Sequence, residues 1–317
     1  MEIIMRRRHS FSVVLLLLPI WTGAGCRNSG IIATTTVIAA TQSPAETPIT
    51  LPNKDGSLKF AVLGDFGTGE QPQYQLAEQM AILHGRFKYD FVVLVGDNLY
   101  GSERPQDFRK KFELPYKPLL DAGVKFYAAL GNHDAREQRF YKLFNMEGKL
   151  YYAFNPKPNV RFFAFDSTYP VPEEIQWIDK ELAASSSDWK IVFFHHPLYS
   201  SGNRHGSDLR LREVLEPLFV KYNVSVVLNG HDHFYERVKP QKGIAYFVVG
   251  SGGQLRKGNI DRRSGITAVG FDTDLAFMAV EITGDEMYFS VISPAGAACR
   301  LGYANAPEDH ALIPCTC

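Results

Sequence analysis

Phe60-Ala61-Val62-Leu63-Gly64-Asp65 is the stretch on which the fold turns. Four apolar residues in succession suit a strand buried on both faces rather than one with a wet side. The run then ends on a glycine and a carboxylate, and the pattern returns along the chain. Phe91 to Val95 ends on Gly96-Asp97, Val124 to Leu130 on Gly131-Asn132-His133, and Ile191 to Phe194 on His195. Val224 to Leu228 leads through Asn229-Gly230 to His231. Gln73 to Leu83, Pro172 to Leu182 and Leu209 to Tyr222 carry apolar residues at helical spacing, the last interrupted by Pro217. Strands alternating with helices specify an α/β fold, and such folds gather their sites just past strand C-termini. The glycines let the backbone turn sharply and leave room for a ligand. One Gly-Asp after a strand is commonly only a turn, and one strand-end His is commonly structural. Their repetition in order points to a shared site.

Taken together, Gly64-Asp65-Phe66-Gly67, Gly96-Asp97-Asn98-Leu99-Tyr100, Gly131-Asn132-His133, Val192-Phe193-Phe194-His195 and Gly230-His231-Asp232-His233 resemble the five-block signature of the purple acid phosphatases. These belong to the calcineurin-like metallophosphoesterases. The blocks span Gly64 to His233, with flanking similarity over roughly 58–297, and the length is similar to the small tartrate-resistant type. The resemblance implies two mixed β-sheets packed as a sandwich and flanked by α-helices. It also implies a ligand set: Asp65, Tyr100 and His233 on a first metal, Asp97 bridging, and Asn132, His195 and His231 on a second. In the family the first metal is Fe(III) and the second a divalent ion such as Fe(II), Zn(II) or Mn(II). The residue types suit this, because phenolate and carboxylates are hard donors and imidazoles favour a divalent ion.

The implied activity is hydrolysis of small phosphate monoesters, with hydroxide at a two-metal site attacking phosphorus in line. Asn132, His133 and His205 would face substrate, and His133 and His205 are the candidates to serve the leaving group. His205 also reads as a surface-loop residue, within Ser200-Ser201-Gly202-Asn203-Arg204-His205. A phosphodiesterase on the same scaffold, a catalytically silent surface binding module, and Fe(II)/Fe(III) redox side chemistry are the other readings.

Several neighbours carry two readings. His196 adjoins His195, and strand alternation with the following Pro197 favours His195 as the ligand. Asp134 and Asp232 are either carboxylates that orient imidazoles or plain loop carboxylates. Glu236-Arg237 reads as a structural ion pair. Gly250-Ser251-Gly252-Gly253 is either a phosphate-cradling pocket edge or a tight turn; it lacks the P-loop Lys-Ser/Thr. Phe277 to Ile282 and Met287 to Ile292 flank Gly284-Asp285 as a β-hairpin.

The flanks are of another kind. Arg6-Arg7-Arg8 precede the apolar stretch Phe11 to Trp21, which reads as an export signal over residues 1–25 and is too short to span a bilayer. Small residues lead into Cys26 and resemble a bacterial lipoprotein processing site, although Gly23 stands where Leu is usual; lipid attachment at Cys26 and plain cleavage both stand. The chain is expected outside the cytoplasm, as a secreted, periplasmic or lipid-anchored protein. Residues 26–57 read as a Thr/Ser/Pro-rich tether, 58–298 as the catalytic domain, and 299–317 as a tail holding Cys299, Cys315 and Cys317. Cys299 is expected to pair with Cys315 or Cys317.

The chain has 317 residues, 45% hydrophobic and 21% charged, with 34 basic and 34 acidic side chains. That balance argues against a nucleic-acid partner and against a disordered chain. Residues 1–25 hold three arginines and Glu2, so the remainder carries 31 bases against 33 acids. Oligomeric state is not legible.

Overall fold

The structure, a computed structural model, describes residues 51–295 and the strand at 298–304. Thirteen strands form in chain order: β1 (Leu58–Leu63), β2 (Phe91–Val95), β3 (Lys125–Ala129), β4 (Tyr152–Lys157), β5 (Val160–Ala164), β6 (Trp189–Phe193) and β7 (Val226–Asn229). They continue with β8 (Tyr235–Val238), β9 (Ala245–Val249), β10 (Thr267–Phe271), β11 (Phe277–Thr283), β12 (Glu286–Ile292) and β13 (Ala298–Ala304). The helices are α1 (Gln71–Phe87), the short α2 (Pro105–Phe108) and α3 (Lys117–Asp121), α4 (Pro172–Ala183) and α5 (Leu209–Lys221).

Six strands make one mixed sheet in the order β13-β12-β11-β1-β2-β3, and seven make the other, β10-β8-β9-β7-β6-β5-β4. The parallel stretch β1-β2-β3 closes the six-stranded sheet with β3 at its edge, while β5-β6-β7-β9 lies inside the seven-stranded sheet between antiparallel strands. For β1, β2, β6 and β7 this placement explains the continuous apolar runs, since interior strands covered on both faces have no wet side.

The two sheets pack face to face through aromatic side chains. Phe162 of β5 meets Phe60 of β1 edge-on at 5.2 Å and Phe91 of β2 at 5.5 Å, and Phe247 of β9 meets Phe289 of β12 at 4.9 Å. Successive residues of the seven-stranded sheet point to opposite faces. Val226 and Leu228 enter the inter-sheet core, while Val227 joins Ile178 and Leu182 of α4 and Leu215 and Phe219 of α5 on the outer face. On the six-stranded sheet, α1 buries Leu76, Met80, Leu83 and Phe87. Pro217 does not break α5, because burial of Leu211, Leu215 and Phe219 on one face holds the helix through it.

The domain edges differ from the sequence reading. Residues 51–57 do not belong to a free tether: Leu51 is buried, and the buried Glu281 of β11 accepts from the Asn53 N–H at 2.6 Å, the Lys54 N–H at 2.7 Å and the Ser57 hydroxyl at 2.7 Å. A buried carboxylate needs such donors, and this strap supplies them. At the other end, residues 299–304 are not tail but β13, with Cys299 opposite Val291. The hairpin forms as expected, with Thr283 paired to Glu286 across Gly284-Asp285. The export segment, the Cys26 lipid site and the pairing of Cys299 with Cys315 or Cys317 involve positions outside the described residues.

Candidate metal centre

The C-terminal ends of β1, β2, β3, β6 and β7 converge where the two sheets meet, and each delivers one quoted block. Three of the delivered residues leave their strands in left-handed backbone, Asp65 at φ 55°, Asp97 at 51° and His231 at 71°. Such strain in non-glycine residues gathers at functional sites. Each follows a glycine. At Gly96, itself at φ 93°, a Cβ would fall 2.6 Å from the His195 ring, so only glycine lets that ring in.

One group of donors gathers around Asp65. The Tyr100 hydroxyl lies 3.2 Å from Asp65 Oδ1 and 3.2 Å from His233 Nε2, and His233 Nε2 is 3.4 Å from the same Oδ1. The other Asp65 oxygen accepts from the His231 N–H at 2.9 Å. A second group gathers around His195, whose Nδ1 donates to the Val95 carbonyl at 3.0 Å. That bond fixes the tautomer and turns the Nε2 lone pair inward. It faces Asn132 Oδ1 at 3.1 Å, His231 Nδ1 at 3.2 Å and Asp97 Oδ1 at 3.3 Å. Asp97 stands between the groups and also accepts from the His133 N–H at 3.0 Å.

The electrostatics are those of crowded acceptors. Burial, then the Asp97 charge, raises the Asp65 carboxyl well above its ordinary range, and burial raises Asp97 too. Burial and the two carboxylates push the Tyr100 phenol far up. Burial, then neighbouring His196, holds His195 well below its usual value; burial and His195 do the same to His231. Burial, then Arg256, lowers His233 to about 4. Neutral imidazole lone pairs, an amide oxygen and two carboxylates facing one another at 3.1–3.4 Å are mutually repulsive unless a cation lies among them. Among the described residues, Asp65, Asp97 and His233 form one set with donor atoms within 4.8 Å, and His195, His196 and His231 another. The donor set therefore fits two metal ions.

The structure brings together all nine residues expected from the sequence. Asp65, Asp97 and His195 are buried as the floor, whereas Asn132, His133 and His205 are exposed at the mouth. The His133 ring lies 5.0 Å from Tyr100 and the His205 ring 4.2 Å from His231, so each imidazole borders the centre. His196 is drawn in as well, with its ring 4.4 Å from His231 and its Nδ1 3.0 Å from the Ser167 hydroxyl. The adjacency to His195 was its only sequence signal; Ser167 had none.

Several neighbours take roles that the sequence left open or read otherwise. Asp134 and Asp232 hold loops rather than imidazoles. Asp134 accepts from the N–H groups of Asn98, Leu99 and Gly131, tying two blocks together. Asp232 accepts from the Ser200 hydroxyl, the Gly206 N–H and the Asn259 amide, and so fixes the loop that carries His205. Glu236 does not pair with Arg237: it accepts from the Ser201 N–H and the Thr267 hydroxyl, while Arg237 lies over the Phe289 ring. The glycine-rich turn cannot cradle a phosphate with the N–H groups of Gly252 and Gly253, because they donate to the Gly64 and Asp65 carbonyls. A Cβ at Gly253 would stand 2.1 Å from the Phe66 carbonyl, so the turn is a strap pressed onto the Asp65 block.

Known proteins resemble the chain that carries this site. Purple acid phosphatase 4 of Arabidopsis thaliana is 27% identical over 272 residues, covering 74% of this chain and 80% of the relative. Tartrate-resistant acid phosphatase type 5 of Homo sapiens is 25% identical over 288 residues, covering 76% and 88%. Among solved structures, GAP50, the anchor in the inner membrane complex of Plasmodium, superposes with a TM-score of 0.63 at 21% identity, covering 75% of this chain and 85% of that one. This last likeness is one of fold alone. The model of the calcineurin-like phosphoesterases matches residues 58–235, more than half the chain and all five blocks, and the protein therefore belongs to that family.

Proposed function

We propose that the protein is an acid-phosphatase-like enzyme that hydrolyses small phosphate monoesters at a binuclear metal centre. The observation that carries this reading is the convergence of seven donors on one point, with three exposed polar side chains around the opening. Asp65, Tyr100 and His233 would hold one ion, Asn132, His195 and His231 the other, and Asp97 would bridge them. Fe(III) beside Tyr100 and Fe(II), Zn(II) or Mn(II) beside His195 would neutralise phosphoryl charge and acidify water there. His195 serves as a neutral donor, because its Nδ1 proton is committed to the Val95 carbonyl. Asn132, His133 and His205 bind the phosphoryl oxygens from the solvent side, and His133 and His205 are placed to give a proton to the departing ester oxygen. The left-handed turns at Asp65, Asp97 and His231 hold the floor ready, so little reorganisation is required when substrate arrives.

Metal content and the visible spectrum of the purified protein test this. A tyrosinate–iron band that disappears in Tyr100→Phe is the expected result; a colourless, iron-free protein of full activity overturns the iron assignment. Asp97→Ala should abolish both metal retention and hydrolysis, and activity that survives it sinks the two-metal reading. An aryl monoester is expected to react faster than the corresponding diester, and the reverse order would make the chain a diesterase. We infer from sequence that residues 1–25 direct export, with either lipid attachment at Cys26 or plain cleavage nearby; globomycin-sensitive processing of the full chain would separate the two. Among the described residues, no helix is long and apolar enough to cross a membrane.

A further inference from the structure

A cavity of about 590 Å³ opens between the turn at Arg136–Phe140, the start of β4 and helix α4. No donor of the candidate metal centre lines it, and neither does His133 or His205. Its size is that of a site for a small organic molecule. Arg136, Arg139, Lys149 and Arg161 contribute four cations to the wall, against the single carboxylate of Glu181. Arg161 pairs with Glu181, and Arg136 lies 3.6 Å from the buried Asp166. Lys149 meets Glu147 at 4.0 Å with both side chains well exposed, and such a pair holds little. Among the described residues Arg139 enters no ion pair; its Nη1 donates to the Arg136 carbonyl at 2.8 Å, and its guanidinium lies over the Phe140 ring. The Arg161 Nε is buried with no hydrogen-bond partner. The wall therefore keeps a positive surplus even with Asp166 and Glu147 counted against it.

Two aromatic rings share this wall. Tyr151 and Trp177 stand with ring centroids 5.1 Å apart and planes inclined by 48°. Both are half-buried, and rings so inclined do not cover each other's faces, which leaves π surface for a third ring. The frame is fixed before any ligand arrives. Trp177 packs on the outer core beside Ile178 and Leu182, and the Tyr152 hydroxyl donates to the Ala128 carbonyl at 2.8 Å, tying β4 to β3. Gly148, at φ 76°, donates its N–H to the Arg139 carbonyl at 2.9 Å and so joins the two loops that carry the cations. Such preorganisation lowers the entropic cost of binding.

An inorganic anion would use the cations and leave the rings idle. A neutral aromatic molecule would leave the surplus charge uncompensated. We propose that this cavity is a second binding site, separate from the metal centre, for a planar aromatic anion. The ring of the ligand lies against Tyr151 and Trp177, and its charged group meets Arg139 and Lys149. The inference does not rest on the phosphatase reading above.

The test is isothermal titration of the purified full chain with naphthalene-2-sulfonate, which has no phosphoester bond to be cleaved. Inorganic sulfate and naphthalene-2-methanol are titrated beside it. The sulfonate should bind at least about tenfold more tightly than either, since each lacks one half of the recognised chemistry. Arg139→Gln should weaken it about tenfold and Lys149→Gln about threefold, as expected for loss of a charge-assisted contact. Tyr151→Leu should weaken the sulfonate but not sulfate. Lys149→Gln, on an exposed side chain, carries the test if Arg139→Gln fails to fold. Affinity within about twofold of wild type in both charge variants places the probe elsewhere, the metal centre included, and overturns the inference. Sulfate bound as tightly as the sulfonate overturns the aromatic requirement, the alcohol bound as tightly overturns the anionic one, and wild-type protein that takes up no sulfonate overturns the site itself.

Discussion

The buried carboxylate of Asp232 accepts a hydrogen bond from the Ser200 hydroxyl at 2.6 Å, across 32 residues of chain. Through this contact and the one from the Gly206 N–H, a residue between two candidate ligands sets the position of the His205 loop. Ser200→Ala should therefore lower kcat about three- to tenfold, because small displacements of a proton donor are costly, while metal content stays as in wild type. Metal analysis beside steady-state kinetics checks this; equal loss of metal and kcat would mean that the contact serves the centre and not the loop.

Gly253 presses on the Phe66 carbonyl, with no room for a Cβ. Gly253→Ala is expected to cost about 1–3 kcal/mol, the usual range for overpacking, and to weaken metal binding by shifting the Asp65 block. Chemical denaturation and metal titration of the purified variant measure the two effects.

Glu174, buried at the start of α4, accepts from the Asp166 N–H, and burial raises its carboxyl from 4.5 to about 8. A raised pKa means that the folded state binds the proton more tightly than the unfolded one. The associated stability is fully present below about pH 4.5 and is lost as pH rises through about 8. Glu174→Gln keeps an acceptor and removes the titration. Its unfolding free energy should fall less than that of wild type between those limits, as urea melts at a series of pH values would record.

Phe162 links the two sheets through Phe60 and Phe91, and stacks on Phe154 of the adjacent strand β4. Phe162→Ala should cost about 3–5 kcal/mol, the range for removing a buried aromatic ring. A melting shift within the error of wild type would show that the sandwich is held elsewhere.

Much of this was legible in the chain. The apolar runs ending on Gly-Asp, Gly-Asn-His and His mark strands and their site ends, since burial on both faces leaves no polar alternation in the interior ones. Strands β4, β8 and β10 were not legible. They lie at or near the edge of their sheet, and β4 carries Asn155-Pro156 and a register shift that break the pattern. Glu236 looked like a partner for Arg237 because the two are adjacent. In a strand, adjacent side chains point to opposite faces, so Glu236 finds Ser201 and Thr267 instead.

The sequence alone determined which residue types stand after which strands, and hence the family and the chemistry on offer, because burial and turn geometry are written locally. The tertiary structure decided what those residues face. The strap from Gly250 to Gly253 closes on Asp65, Asp232 governs a loop 32 residues away, and the Arg256 N–H donates to the His233 carbonyl. Each of these depends on contacts between segments far apart in the chain, which no local period encodes.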